Sequence, residues 1–220
     1  MVHLEIIILM ASILAIGVIG HKIANSKRFE HIKSPKQMNK ENLDKIIDES
    51  GAQGIVFRAF NNSSAAILDK ENEKLHVFYS TYQEPIGKIH TYEHFHCNFA
   101  DIIESEVIVD NQTITKTARG SQLGGALVGS VLAGGIGAII GGLSGSKRSD
   151  DYIKRAEIKL TINDLENPVC KITFLDGQDE DHKVLKKGFR KNDFRIKGML
   201  QELDKWQAMF DVILNNKKIS

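Results

Sequence analysis

Four residues within eight positions, His90, His94, His96 and Cys97, form the only cluster in the 220-residue chain with metal-ligand chemistry. On a strand, side chains two apart share a face, so His94 and His96 would project together and could hold zinc with a third ligand. No further ligand set is evident from spacing, and the plainer expectation is a pair of exposed histidines with no metal. The acidic run Asp176, Asp179, Glu180 and Asp181 lacks the spacing of a calcium loop and reads as a solvated turn. Lys183, Lys186, Lys187, Arg190, Lys191 and Arg195 make a basic patch, read as an exposed face that could also meet phospholipid.

Other catalytic frames fail on spacing. Gly135, Gly137 and Gly141 miss the dinucleotide pattern by one residue, and Gly145-Ser146-Lys147 lacks the P-loop frame. No nucleophile elbow, HExxH or Ser/His/Asp grouping is present. The expectation is a protein that is not an enzyme and carries no cofactor. With 29 Lys plus Arg against 28 Asp plus Glu, global charge points to no nucleic-acid partner. Two cysteines without a CxxC spacing fit free, buried thiols in a reducing compartment.

The glycines are not spread evenly. Residues 120–146 carry no charge, and every fourth residue reads Gly125, Gly129, Ala133, Gly137, Gly141, Gly145. The neighbouring row, Ala126, Ser130, Gly134, Ala138, Gly142, Ser146, is also small. Leu127, Val131, Ile139 and Leu143, with Val128, Leu132, Ile136 and Ile140, fill the other two rows. On a helix one face is flat and the opposite face bulky and apolar, which suits close backbone packing of the GxxxG kind or self-association. Each glycine costs about 1 kcal/mol in an isolated helix, so packing must return it. A helical hairpin turning at Gly134-Gly135 is favoured over a single span, because it keeps both ends together and each arm, about 18 Å, is too short to cross a bilayer. An oligomeric zipper that perturbs the membrane is the alternative.

The N-terminus supplies an anchor. Residues 6–20 are uncharged, and the wider stretch 2–24 meets charge only near its ends. About 20 helical residues span the hydrocarbon core. No basic residue precedes the run, whereas Lys22, Lys27, Arg28 and Lys33 follow it. The positive-inside rule then predicts a single-pass membrane protein, N-terminus outside, with the remaining domain cytoplasmic.

These features need elements to position them. The reading is a transmembrane anchor at 1–24, then a basic linker and short helix at 25–50, capped at Asn39 and followed by Gly51. The β domain takes 51–119 and resumes at 147–191, interrupted by the apolar insert 120–146. Strands are expected at 55–60, 65–69, 74–79, 94–99, 106–109 and 112–116, with turns at 70–73 and 110–111. Ile158, Leu160 and Ile162 alternate, then Cys170, Ile172 and Phe174 after a turn ending at Pro168. From 192 to 216 the period changes: Ile196, Leu203 and Phe210, and Met199, Trp206 and Ile213, recur every seven residues. This predicts one amphipathic helix, capped by Asn192 or Asp193 and lying over the sheet.

About seven strands followed by one C-terminal helix make a mainly β fold, a small sandwich or barrel. This order resembles the bacterial PH-like domains. More narrowly, Asp101-Ile102-Ile103-Glu104-Ser105-Glu106, the Gly-rich segment, and Ile162-Asn163-Asp164-Leu165-Glu166-Asn167-Pro168 resemble a group of uncharacterised bacterial and prophage-borne membrane proteins. Such a resemblance implies a PH-like domain with a glycine-zipper-like apolar insert. PH-like folds bind lipids, peptides or proteins, so the expected role is a membrane-tethered, non-enzymatic binding or scaffold module with a protein or lipid partner. The rival expectations are an oligomerising effector that perturbs membrane permeability and, third, a metal-dependent enzyme using the 90–97 cluster.

Overall fold

The computed structural model of the chain describes residues 34–81, 89–120 and 152–215. The expected anchor, its basic flank Lys22, Lys27, Arg28 and Lys33, and the small-residue row from Gly125 to Gly145 lie outside the described residues. Among the described residues no helix is long and apolar enough to cross a membrane.

The described chain begins with helix α1, Pro35–Ser50. Its cap is Ser34, whose Oγ accepts the amide N–H of Gln37, with Pro35 in the first helical position. The expected cap, Asn39, is therefore inside the helix and fully buried. Proline tolerates the N-terminal position because its missing N–H would have no intrahelical partner there, and so the helix starts earlier than the asparagine suggested. Gly51 ends it in the left-handed region at φ 65°.

Four strands then form an antiparallel sheet in sequential order: β1 Ile55–Arg58, β2 Ser64–Asp69, β3 Lys74–Ser80 and β4 Tyr92–Asn98. A 3-10 turn, Phe99–Asp101, leads to the second sheet. Its strands are β5 Ile102–Val109, β6 Gln112–Ala118, β8 Arg155–Ile162 and β9 Val169–Asp176, in the spatial order β6-β5-β8-β9. The short β7 Tyr152–Ile153 pairs with β10 Phe189–Arg190. Helix α2, Phe194–Asn215, closes the fold, and Asp193 caps it through the amide of Arg195.

Period-two alternation sorts each strand. Leu75 and Val77 point to the main core with Ala66, Leu68 and Cys97, while Ala65, Ile67 and Phe78 point outward to Leu43 of α1. The core lies between the sheets and under α2: Phe57 stacks on Phe174 at 4.0 Å and meets Trp206 edge-on at 6.0 Å. Both expected cysteine thiols are free and buried here, and burial pushes each up to about 12. The expected seven-residue recurrences are the buried face of α2, with Met199 only partly covered.

The stretches before and after the apolar insert do share one sheet, since β6 and β8 flank β5. β6 ends where Ala118 faces Glu104, whereas β8 starts where Ala156 faces Val109. Ala118 and Ala156 thus sit toward opposite ends of β5, about 17 Å apart along that strand. Two basic flanks of the insert are used by the fold: Lys116 pairs with Glu104 at 2.9 Å, and Arg119 donates to the carbonyls of Ile102 and Phe99 at 3.0 and 2.7 Å.

Candidate functional site

The four residues of the 90–97 cluster separate into three environments. Cys97 faces the core. His90, just before β4, enters a buried network with Asn39 of α1 and His182 of the loop between β9 and β10. Asn39 Oδ1 accepts the backbone N–H of His90 at 2.7 Å. Its Nδ2 must therefore donate to His182 Nε2, 2.8 Å away. That leaves the proton of His182 on Nδ1, which donates to His90 Nε2 at 3.1 Å. One backbone amide thus fixes the tautomers of both rings. Burial and the facing His182 ring lower the pKa of His90 to about 4. Tyr92 closes the same corner, its hydroxyl donating to the Asn62 carbonyl at 2.6 Å. Sequence reasoning missed His182, because the acidic run around it reads as solvent-exposed. Asp179 does organise that turn, accepting the amides of Asp181 and Lys183 at 3.0 and 2.9 Å, and the turn inverts His182 inward at φ 58°.

His94 and His96 do share a face, the outer face of the first sheet, on its edge strand β4. There they meet a third histidine that spacing did not reveal. His76 on β3 is the register partner of His96, and its Nδ1 stands 2.9 Å from His94 Nε2. Ring centroids are 5.1 Å apart for His76–His94, 5.4 Å for His94–His96 and 6.0 Å for His76–His96. Phe78 stacks on His94 at 4.6 Å. Burial lowers the pKa of His76, helped by His96 and Lys74 and opposed by Asp69. Burial and the other two rings lower that of His94. Among the described residues no group of three or more His, Cys, Asp or Glu side chains could hold a metal ion.

Among the described residues, concave surfaces lie in two further places. An apolar groove of about 580 Å³ separates the tip of the β2–β3 hairpin from α2, lined by Leu68, Phe99, Ala208, Met209, Val212 and Ile213. Lys70, Glu73 and Lys205 stand on its rim, and Val212 is 67% exposed. A cleft of about 910 Å³ beside Tyr152 carries Lys154, Arg155, Lys186 and Lys187 with Asp110 and Asp176. Of the expected basic patch, only Lys186 and Lys187 line it. Arg195 is engaged elsewhere, with Glu180 and Asp193 at 2.9 and 3.0 Å.

Comparison with known proteins gives this geometry a family setting. Residues 56–176 match the family model described as glycine zipper containing PH domain. That stretch runs from β1 to the end of β9 and includes the small-residue segment. The chain is 33% identical over 186 residues to the Immunity protein of Bacillus phage SPbeta, covering 83% of this chain and 87% of that protein. It is 34% identical over 156 residues to the SPbeta prophage-derived uncharacterized membrane protein YomJ of Bacillus subtilis (strain 168), covering 70% of this chain and 64% of that protein. No solved structure matches the chain.

Proposed function

Since the chain belongs to the glycine zipper containing PH domain family, we propose that it is a membrane-tethered, non-enzymatic binding module with an immunity role. In this reading residues 2–24 hold the chain in the membrane with the N-terminus outside. The PH-like body stands on the cytoplasmic side, and the apolar insert presses it toward the bilayer. The partner is a protein, met in the groove between the β2–β3 hairpin and α2.

The observation that carries the reading is that groove. Leu68, Phe99, Met209, Val212 and Ile213 give a row of apolar contacts, and Lys70 and Lys205 on the rim suit an amphipathic segment with acidic flanks. Likeness to the Immunity protein over most of both chains supports the biological role, and likeness to a membrane protein supports the tether. The test is expression in a Bacillus subtilis strain without an SPbeta prophage, followed by challenge with the culture supernatant of a strain that carries it, phage and secreted products together. Protection is expected, with loss of protection when Val212→Glu is combined with Ala208→Glu. Both positions are exposed, so the double variant should fold and stay in the membrane fraction. Unchanged protection in that variant would refute the groove as the working surface.

A second reading is favoured by the two rows of small residues from Gly125 to Ser146. There the chain self-associates through the insert and perturbs permeability. Gly129→Leu with Gly137→Leu should abolish oligomers and any toxicity under this reading, and only weaken the insert's own packing under the first.

A further inference from the structure

Four cations line the cleft beside Tyr152. Lys154 sits between β7 and β8, Arg155 opens β8, and Lys186 and Lys187 precede β10. The β7–β10 ladder pairs Ile153 with Phe189, which brings the two pairs of cations onto one surface. Gly188 makes that approach possible: it stands at φ 87°, and a Cβ there would lie 2.5 Å from the Ile153 carbonyl oxygen. The loop is folded over by two hydrogen bonds of 2.9 Å, from the Leu185 N–H to the Gly177 carbonyl and from the Gly188 N–H to the Leu185 carbonyl.

The two carboxylates in the cleft are engaged by the fold. Asp110 Oδ1 accepts the amides of Lys154 and Arg155, each at 2.9 Å. Asp176 accepts from Asn61 Nδ2 with both oxygens at 3.0 Å and from the Gln178 amide at 2.9 Å. Among the described residues, Lys154, Lys186 and Lys187 form no ion pair, and Arg155 meets only Glu157, at 3.9 Å. Val184 stands in the same cleft and is 69% exposed. An exposed apolar side chain set among cations suits a bilayer surface, where phosphates lie directly over hydrocarbon. An acidic protein surface would meet the cations but offers Val184 no such layer. Tyr152 is also the first described residue after the uncharged stretch 120–146, so the chain returns from its apolar insert at this cleft. We propose that the cleft docks on an anionic phospholipid surface, with Lys154, Arg155, Lys186 and Lys187 on headgroup phosphates and Val184 entering the interface. The proposal rests on the membrane tether described above and gives the tethered body a defined face toward the bilayer.

The test uses the full-length chain in lipid nanodiscs. Val184→Cys supplies an exposed thiol among the lysines, whereas the native Cys97 and Cys170 are buried. Its rate of reaction with an uncharged maleimide is compared between discs of phosphatidylcholine and discs that also contain phosphatidylglycerol. The expected result is a rate about tenfold lower in the anionic discs, the scale of two cation contacts that must open. Added salt should restore the rate, because it screens exposed charges. Lys186→Glu with Lys187→Glu should abolish the slowing. Lys40→Glu with Lys45→Glu, the same change of charge on α1, should leave it intact. Circular dichroism melts check that each variant is folded. Equal rates in the two kinds of disc would overturn the docking face and leave the cations to an acidic protein. Slowing that survives Lys186→Glu with Lys187→Glu, or equal slowing by inorganic phosphate in neutral discs, would overturn it as well. A chain that does not enter neutral discs at all would refute the tether, and the docking face with it.

Discussion

Two histidine groups in this molecule use the same side chain in opposite ways. His90 and His182 are 2% and 4% exposed and tie three segments together: α1, the approach to β4, and the loop after β9. The hydrogen bonds joining Asn39, His90 and His182 follow from one backbone N–H, which sets the tautomer of both rings. His76, His94 and His96 instead pass from buried to exposed across the edge of a sheet. The first group spends its lone pairs on the fold. The second joins only His76 to His94, at 2.9 Å, and leaves His96 exposed. What separates them is long-range closure: α1 and the turn at Asp179–Lys183 meet over one group, while the other runs out to the exposed edge of a sheet.

The sharpest way to break that contrast is at Asn39. Asn39→Leu removes the acceptor for the His90 amide and the donor to His182, leaving two buried polar groups to lose their partners. At about 1–3 kcal/mol for each such group, the expected cost is about 4 kcal/mol. Trp206, the single tryptophan and fully buried, reports unfolding by fluorescence in a denaturant titration. A cost below about 1 kcal/mol would mean that the buried network is not holding the corner.

Next in size is a pH effect from the same corner. The unfolded chain carries His90 with the ordinary imidazole value of 6.5, and the folded chain lowers it to about 4. Between those values the unfolded state binds a proton that the folded state refuses. The stabilisation is therefore fully present above pH 6.5 and is lost as pH falls toward 4. The total is about 3 kcal/mol. His76 and His94 are lowered as well and add to the loss in the same direction. Denaturation midpoints measured from pH 7.5 to pH 4 check this. In His90→Gln the slope over that window should flatten, and an unchanged slope would assign the effect elsewhere.

Much of this contrast's frame was legible in the sequence. Alternation found both sheets, Asp110-Asn111 marked a tight turn whose two residues do take positive φ, and the seven-residue recurrences found the buried face of α2. Local patterns of this kind depend on residues that are neighbours in the chain. The histidine groups depend on register and long-range closure. His76 meets His96 only because the ladders of β3 and β4 pair Lys74 with Asn98, a fact that no spacing rule contains. Asn39 was read as a cap because capping residues are polar and precede apolar runs. Ser34-Pro35 took that role one turn earlier, which turned Asn39 inward. The flanking of β5 by β6 and β8 was hidden for the same reason, since strand order in the sheet is not a local property.

A smaller effect is expected on the open face. His94→Ala removes the stacking contact with Phe78 and the hydrogen bond to His76, on a side chain only partly buried. The cost should be about 1 kcal/mol, the usual range for an aromatic pair plus one partly solvated hydrogen bond. The same tryptophan titration measures it. A cost as large as that of Asn39→Leu would erase the distinction between the two groups.

The smallest effect belongs to His96→Ala, and it sharpens the comparison most. The ring is exposed on an edge strand, so the substitution should change stability by no more than about 0.5 kcal/mol in the same titration. A cost near that of Asn39→Leu would place His96 with the buried group, because an exposed ring on an edge strand has no buried partner to abandon.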